Sequence, residues 1–209
     1  MSINKDNTHK TQYGQFYTTK FKYILQNMNI PETETHIIEP FTGMGHLLQF
    51  IERSDLVLEL YDIEPKYKNT IKRDTLLCPP NYDGKFVLTN PPYLARNKNK
   101  DKTLYEKYQS NDLYKCFIIN LIESQCNGGI IIIPLNFLSS IRKADIELRR
   151  KFLCKFTIDK INIFEEQVFN DTSYTICCIS FKKIRDTIKN KLISPIKTYI
   201  YPSNKEVQL

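Results

Sequence analysis

The chain has 209 residues, 41% of them hydrophobic, enough for one α/β domain with its own core and too apolar for a disordered segment. Lys and Arg number 30 against 23 Asp and Glu, a formal charge of +7, which suits a polyanionic partner and equally fits a solvated lysine-rich surface. Cys78, Cys116, Cys126, Cys154, Cys177 and Cys178 lack metal-ligand spacing, residues 1–10 lack an apolar signal core, and the longest apolar run, 130–133, is too short to span a bilayer. The expectation is a reduced, cytoplasmic protein with no metal and no membrane segment.

Residues 1–11 are polar and read as a flexible N-terminal arm. Residues 21–28 carry Phe21, Ile24, Leu25 and Met28 at helical spacing. Residues 36–39 are a short buried strand stopped by Pro40, and 45–52 read as a helix with Leu47, Leu48 and Ile51 on one face. A second strand at 56–61 leads to Asp62, followed by a short helix at 66–70 and a third strand at 71–73. The apolar run 86–89 is a fourth strand.

Residues 94–108 are lysine-rich and poor in apolar residues, the pattern of a loop. Leu113, Phe117, Ile118, Leu121 and Ile122 mark a helix over 112–125, closed by Gly128-Gly129. A fifth strand at 130–133, a helix at 144–152 and two strands at 158–163 and 174–181 complete the pattern. Strands alternating with helices predict one α/β domain over 12–183. Its sheet is seven-stranded and mostly parallel, with one antiparallel strand near the edge and helices on both faces. Residues 184–209 form a short basic tail with room for one more strand, at 196–201, and not for a second domain.

Asn90-Pro91-Pro92-Tyr93 directly follows the fourth strand. Two prolines remove two backbone donors and end the strand, and each residue before a proline is pushed toward extended backbone. The result is a stiff peptide offering one amide and one aromatic ring at fixed offsets. Beyond the carboxyl end of a parallel strand, where α/β sheets bind ligands, it suits a flat, amino-bearing ring.

Three other strand ends carry polar chemistry. Glu39-Pro40-Phe41-Thr42-Gly43-Met44-Gly45 closes the first strand with glycines that permit a tight turn and close ligand approach. Asp62, ending the second, suits the vicinal hydroxyls of a ribose or a turn cap, with Glu64 near enough to compete. Asp74, after the third, suits an adenine amino group or a turn. His36 and His46 read as structural, and Ser139-Ser140 as a helix cap.

The order is Gly14-Gln15-Phe16-Tyr17-Thr18-Thr19, the glycine motif, Asp62, Asp74, Asn90-Pro91-Pro92-Tyr93, then Val168-Phe169-Asn170-Asp171-Thr172-Ser173-Tyr174. It resembles the gamma-class adenine-N6 DNA methyltransferases of restriction–modification systems over about residues 13–183. The resemblance implies a Rossmann-like methyltransferase fold, S-adenosylmethionine (AdoMet) as cofactor, DNA as substrate and base flipping. It gives Tyr17, Thr18, Glu39, Thr42, Gly43, Gly45, Asp62, Ile63, Asp74 and Asn90 to the cofactor. Asn90, Pro91, Pro92 and Tyr93 go to catalysis, and Tyr93 with Phe169 to stacking on the extruded base.

Thr19 stands where many relatives have proline. Arg96, Lys98, Lys100, Lys102 and Lys107 can contact DNA phosphates near the extruded base or belong to a solvated loop, and both hold if DNA orders it. RNA adenine, a protein glutamine, or a non-catalytic AdoMet- or DNA-binding role are the alternatives. The near absence of a target-recognition domain points to a separate recognition subunit or domain as partner.

Overall fold

The computed structural model describes residues 17–169, 172, 174–184 and 195–208. The arm at 1–11, Gly14, Gln15 and Phe16 of the first motif, and Asn170, Asp171 and Ser173 of the last lie outside the described residues.

In chain order the elements are α1 (Phe21–Ile24), β1 (His36–Glu39), a 3-10 turn (His46–Phe50), β2 (Val57–Asp62), β3 (Ile71–Lys72) and β4 (Phe86–Thr89). A second 3-10 turn (Arg96–Lys98), α2 (Thr103–Lys107), α3 (Leu113–Glu123), β5 (Gly128–Pro134), α4 (Asn136–Ser139) and α5 (Lys143–Lys155) follow. The chain then forms β6 (Phe156–Phe164), β7 (Ile176–Lys183), β8 (Lys197–Tyr201) and β9 (Lys205–Gln208). One sheet joins all nine strands in the order β3-β2-β1-β4-β5-β7-β6-β8-β9.

Strands β1 to β5 pair in parallel, β7 runs antiparallel between β5 and β6, and β8 lies parallel to β6. The sheet therefore has nine strands, not seven, because the tail contributes β8 and β9. Two strands run antiparallel to a neighbour where one was expected: β7, seated between β5 and β6, and β9, which pairs with β8 at the rim. The central strands are apolar on both faces: Ile37, Ile38, Val87, Leu88 and Ile130 to Ile133 are all buried. Each such side chain contributes about 1.5–3 kcal/mol by leaving water.

The crossovers β1–β2 and β4–β5 move in opposite directions along the sheet. The right-handed rule therefore sends their connections to opposite faces. The first 3-10 turn accordingly packs on α1, while α3 packs on α5.

Four local expectations change. The helix expected at 45–52 is a five-residue 3-10 turn, because Gly45 before it adopts a left-handed conformation with φ of 75°. Residues 66–70 form a turn with Asn69 at φ 60°, not a helix. The loop expected at 94–108 contains α2 and a 3-10 turn. Gly128 and Gly129 open β5: a Cβ on Gly129 would lie 2.4 Å from the Val87 carbonyl oxygen, so the close approach of β4 excludes a side chain there.

Candidate active site

The strand order reverses between β1 and β4, and α/β sheets open a crevice beyond the carboxyl ends of strands at such a point. A cavity of about 360 Å³ lies there. Its walls include Tyr17, Thr18, Thr42, Gly43, Asp62, Ile63, Asp74 and Asn90, eight residues brought together from five separate stretches of sequence.

Asp62 is buried, and its carboxylate holds the glycine turn in place. Oδ2 accepts from the Gly43 N–H at 2.7 Å and Oδ1 from the Glu64 N–H at 2.8 Å. Burial raises its pKa, and these two backbone donors oppose that rise. Thr42 fixes the same turn from the other side, its hydroxyl donating to the Glu39 carbonyl at 3.2 Å and its N–H to the Tyr61 carbonyl at 2.9 Å. Asp74 uses Oδ1 to cap the next turn, accepting from the N–H groups of Leu76 (3.0 Å) and Leu77 (2.9 Å). Both acids thus hold turns, and since each carboxylate oxygen has two lone pairs, these contacts leave acceptor capacity facing the cavity.

Glu39 is buried behind this wall. Oε1 accepts from the Phe41 N–H at 3.0 Å and from the Thr89 hydroxyl, while Oε2 has no hydrogen-bond partner among the described residues. Burial lifts its pKa to about 8 despite those two donors. Glu39 therefore carries a proton over much of the neutral range.

Asn90 is held on both sides. Its Nδ2 donates to the Thr18 hydroxyl at 3.1 Å, and its Oδ1 accepts from the Tyr93 hydroxyl. That hydroxyl also reaches the Ile132 carbonyl at 2.6 Å, and a single phenolic proton serves one acceptor at a time. Thr18 and Tyr93 hydroxyls can each donate or accept, so they bracket the amide in either of its orientations.

Tyr17 covers the glycine turn. Its hydroxyl accepts from Lys66 Nζ at 2.9 Å, and a Cβ on Gly43 would come within 3.3 Å of its ring. Gly45 does not line the cavity. Its Cβ would fall 2.3 Å from the Tyr67 ring, so the residue type is set by packing.

Pro92 lines the cavity, whereas Pro91, Tyr93 and Phe169 do not. The Tyr93 ring is buried, edge-on to Tyr114 at 6.2 Å and to Tyr174 at 6.3 Å, and Phe169 is buried as well. Of the basic residues, Arg96, Lys98, Lys100 and Lys107 are exposed and Lys102 is half-buried. Arg96 pairs with Glu106 at 3.3 Å, Lys102 donates to the Arg96 and Asn99 carbonyls, and Lys107 donates to the Leu77 carbonyl at 2.6 Å.

Sequence reasoning missed Phe41, Arg73, Leu76, Leu104 and Leu113 as cavity walls. Leu104, set among lysines, had one signal: with Tyr105 and Tyr108 it makes a short apolar face at helical spacing. Among the described residues no cluster of three or more His, Cys, Asp or Glu is placed to hold a metal, and no helix is long and apolar enough to cross a membrane.

Residues 18–169 match the family model described as Eco57I restriction-modification methylase. Curated proteins show no match. Among solved structures, the type I restriction-modification methyltransferase subunit from Streptococcus thermophilus superposes with a TM-score of 0.62 at 17% identity, covering 94% of this chain and 51% of that one. The type I restriction enzyme EcoKI M protein gives 0.56 at 14% identity, over 89% of this chain and 48% of that one. A Listeria monocytogenes protein assigned to the class I S-adenosylmethionine-dependent methyltransferases gives 0.58 at 11% identity, over 86% and 61%. These likenesses establish a shared α/β fold, and the chain spans about half the length of the two type I subunits.

Proposed function

The chain belongs to the Eco57I restriction-modification methylase family, and from that membership and the cavity's geometry we propose that it transfers a methyl group from AdoMet to the N6 amino group of an adenine in DNA. The observation that carries this reading is Asn90. Its amide leaves the end of β4 at the switch point, is clamped by Thr18 and Tyr93, and shares one cavity with the acids at the ends of β2 and β3.

The cavity fits AdoMet in size and donor set. At about 360 Å³ it has the dimensions of a small-molecule site. Asp62 can accept from ribose hydroxyls, Ile63 can pack on the adenine face, and Asp74 can accept from the adenine amino group. Tyr17, Thr18, Thr42 and Gly43 surround the opposite end, where the methionine portion would lie. The bound cofactor supplies a methyl group already activated on sulfur.

The chain's own residues then do the rest. An adenine amino nitrogen is a weak nucleophile because its lone pair is delocalised into the ring. The Asn90 Oδ1 and the Pro91 carbonyl accept its two hydrogens, which drives the nitrogen toward tetrahedral geometry and localises the lone pair. The prolines hold these acceptors without further ordering, and such alignment is worth roughly 7–11 kcal/mol. The base must leave the duplex to reach Asn90, at a cost of a few kcal/mol. Stacking on Tyr93 and Phe169 would offset part of that cost. Both rings are buried in the free protein, so that stacking requires their cover to open.

The test is transfer from radiolabelled AdoMet to duplex DNA, with digestion to nucleosides to identify the methylated base. Label in N6-methyladenosine is expected from the wild type. Asn90→Ala should lose roughly 10²–10³ in rate while AdoMet affinity stays within several-fold. Label on a protein or on RNA with DNA untouched would overturn the DNA assignment.

A further inference from the structure

A second cavity, of about 370 Å³, is walled in part by Tyr114 and Tyr174, whose rings both lie edge-on to Tyr93. Its walls come from the start of α3 (Asp112, Tyr114, Lys115), from α4 and the turn after it (Asn136, Ser140, Arg142), and from Asp145 and Tyr174. Most of these groups are already bonded. Lys115 Nζ donates to Asp145 Oδ1 at 2.5 Å and to Asn111 Oδ1 at 2.9 Å, and the Ser140 hydroxyl donates to Asp145 Oδ2 at 2.6 Å.

One group is not. Tyr114 is 2% exposed and lines this cavity, yet its hydroxyl has no hydrogen-bond partner among the described residues. An orphaned buried hydroxyl is costly and calls for an explanation, and a ligand's acceptor would supply one.

The chemistry of the walls selects the ligand. Asp112 and Asp145 face Lys115 and Arg142, so the cavity carries no net formal charge and disfavours a phosphate. Asp112 and Asn136 offer acceptors, Tyr114 and Asn136 offer donors, and two tyrosine rings offer flat faces. That set matches a neutral, planar, amino-bearing heterocycle. Asn90 does not line this cavity, so a base seated there cannot present its amino group to the Asn90 amide. On the rim, Ile141 is 90% exposed, an apolar side chain of the kind that wedges between unstacked bases.

We propose that the second cavity receives a nucleobase next to the target adenine and reads one neighbouring position of the DNA strand. This rests on the DNA-methyltransferase reading above. The experiment measures methylation rates and fluorescence-anisotropy binding on labelled duplexes in which each neighbour of the methylated adenine is varied in turn. Wild type is compared with Tyr114→Phe and Asn136→Ala.

Both variants are expected to lose roughly tenfold in selectivity at one and the same neighbouring position, with AdoMet affinity unchanged. Tyr114→Phe should keep or raise the melting temperature, because it deletes an unsatisfied hydroxyl. Unaltered selectivity in both variants would overturn the proposal. So would a uniform loss across all neighbours, which assigns the cavity to the target base or to stability. If the wild type methylates no DNA, the functional reading itself fails. The binding panel still decides whether these residues discriminate a base.

Discussion

Burial holds the Glu39 carboxyl at about 8, well above its ordinary value of 4.5. The folded protein therefore keeps a proton there that the unfolded chain has released. Between about 4.5 and 8 the native state binds more protons, so Glu39 subtracts stability as pH rises, by up to about 1.4 kcal/mol per pH unit, and the loss levels off above 8. Glu39→Gln keeps the buried shape without the ionisation. Thermal melts from pH 5.5 to 8.5 should show a flatter stability profile for this variant and a higher melting temperature than wild type at the alkaline end. Identical profiles would mean that the carboxyl titrates elsewhere.

Tyr93 makes a second prediction at this scale. Its hydroxyl links Asn90 to the Ile132 carbonyl, so Tyr93→Phe keeps the ring and frees the amide to turn. The rate of methyl transfer should fall about tenfold, or about 1.4 kcal/mol, with AdoMet affinity preserved. A fall in affinity instead would mark the hydroxyl as part of the cofactor site. Asn90 and Asp62 were legible in the sequence because each follows a short, mostly apolar run, and Asp74 because it follows the short strand read at 71–73. The buried hydroxyl of Tyr93 was not, because its partner Ile132 lies 39 residues away on β5.

At the scale of elements, residues 94–108 separate what pattern reveals from what packing decides. Five basic residues concealed three anchors. Tyr105 and Tyr108 donate to the carbonyls of Leu94 (2.9 Å) and Leu76 (2.6 Å), and Leu104 lines the cofactor-sized cavity. The segment is thus tied beside the cavity, and its lysines differ in their contacts: Lys102 and Lys107 donate to backbone carbonyls, whereas Lys98 and Lys100 make no such bond among the described residues. Lys98→Gln with Lys100→Gln should weaken DNA binding and reduce its logarithmic salt slope by about 2, leaving the melting temperature unchanged. Lys107→Met removes the lysine donor from the Leu77 carbonyl, while Tyr108 still serves that of Leu76, and should cost about 1 kcal/mol in a urea titration. Equal effects of the two changes on stability would deny this division. The 3-10 turn after Gly45 was misread for a related reason. Leu47, Leu48 and Ile51 fit a helical face, but Tyr67, 22 positions on, demands a glycine in a left-handed conformation before it.

For the whole molecule, the parallel half β1 to β5 could be read from alternating apolar runs, and with it the crevice at the switch point. In the far half the runs behind β6, β7 and β8 were legible too, but β9 and the place of β8 in the sheet were not, because they depend on long-range packing. Tyr201 on β8 stacks on Phe164 of β6 at 5.9 Å, lies edge-on to Tyr23 of α1 at 5.9 Å, and accepts from Asn27 Nδ2 at 2.6 Å. Asn162 of β6 ties the same segment by donating to the carbonyls of Ile24 (3.1 Å) and Gln26 (2.7 Å). The chain leading into α1 carries Thr18, which holds the Asn90 amide. β8 and the candidate active site are therefore joined through α1. Tyr201→Ala should cost about 3–5 kcal/mol, as other buried aromatic deletions do, and should also weaken AdoMet binding by loosening α1. Tyr201→Phe removes one hydrogen bond, about 1 kcal/mol, and leaves the stack in place, so its AdoMet affinity should match wild type. Urea unfolding and calorimetric titration of the two variants separate the contributions. Loss of stability in Tyr201→Ala with undiminished AdoMet affinity would show that β8 supports the sheet alone and that the coupling through α1 does not reach the site.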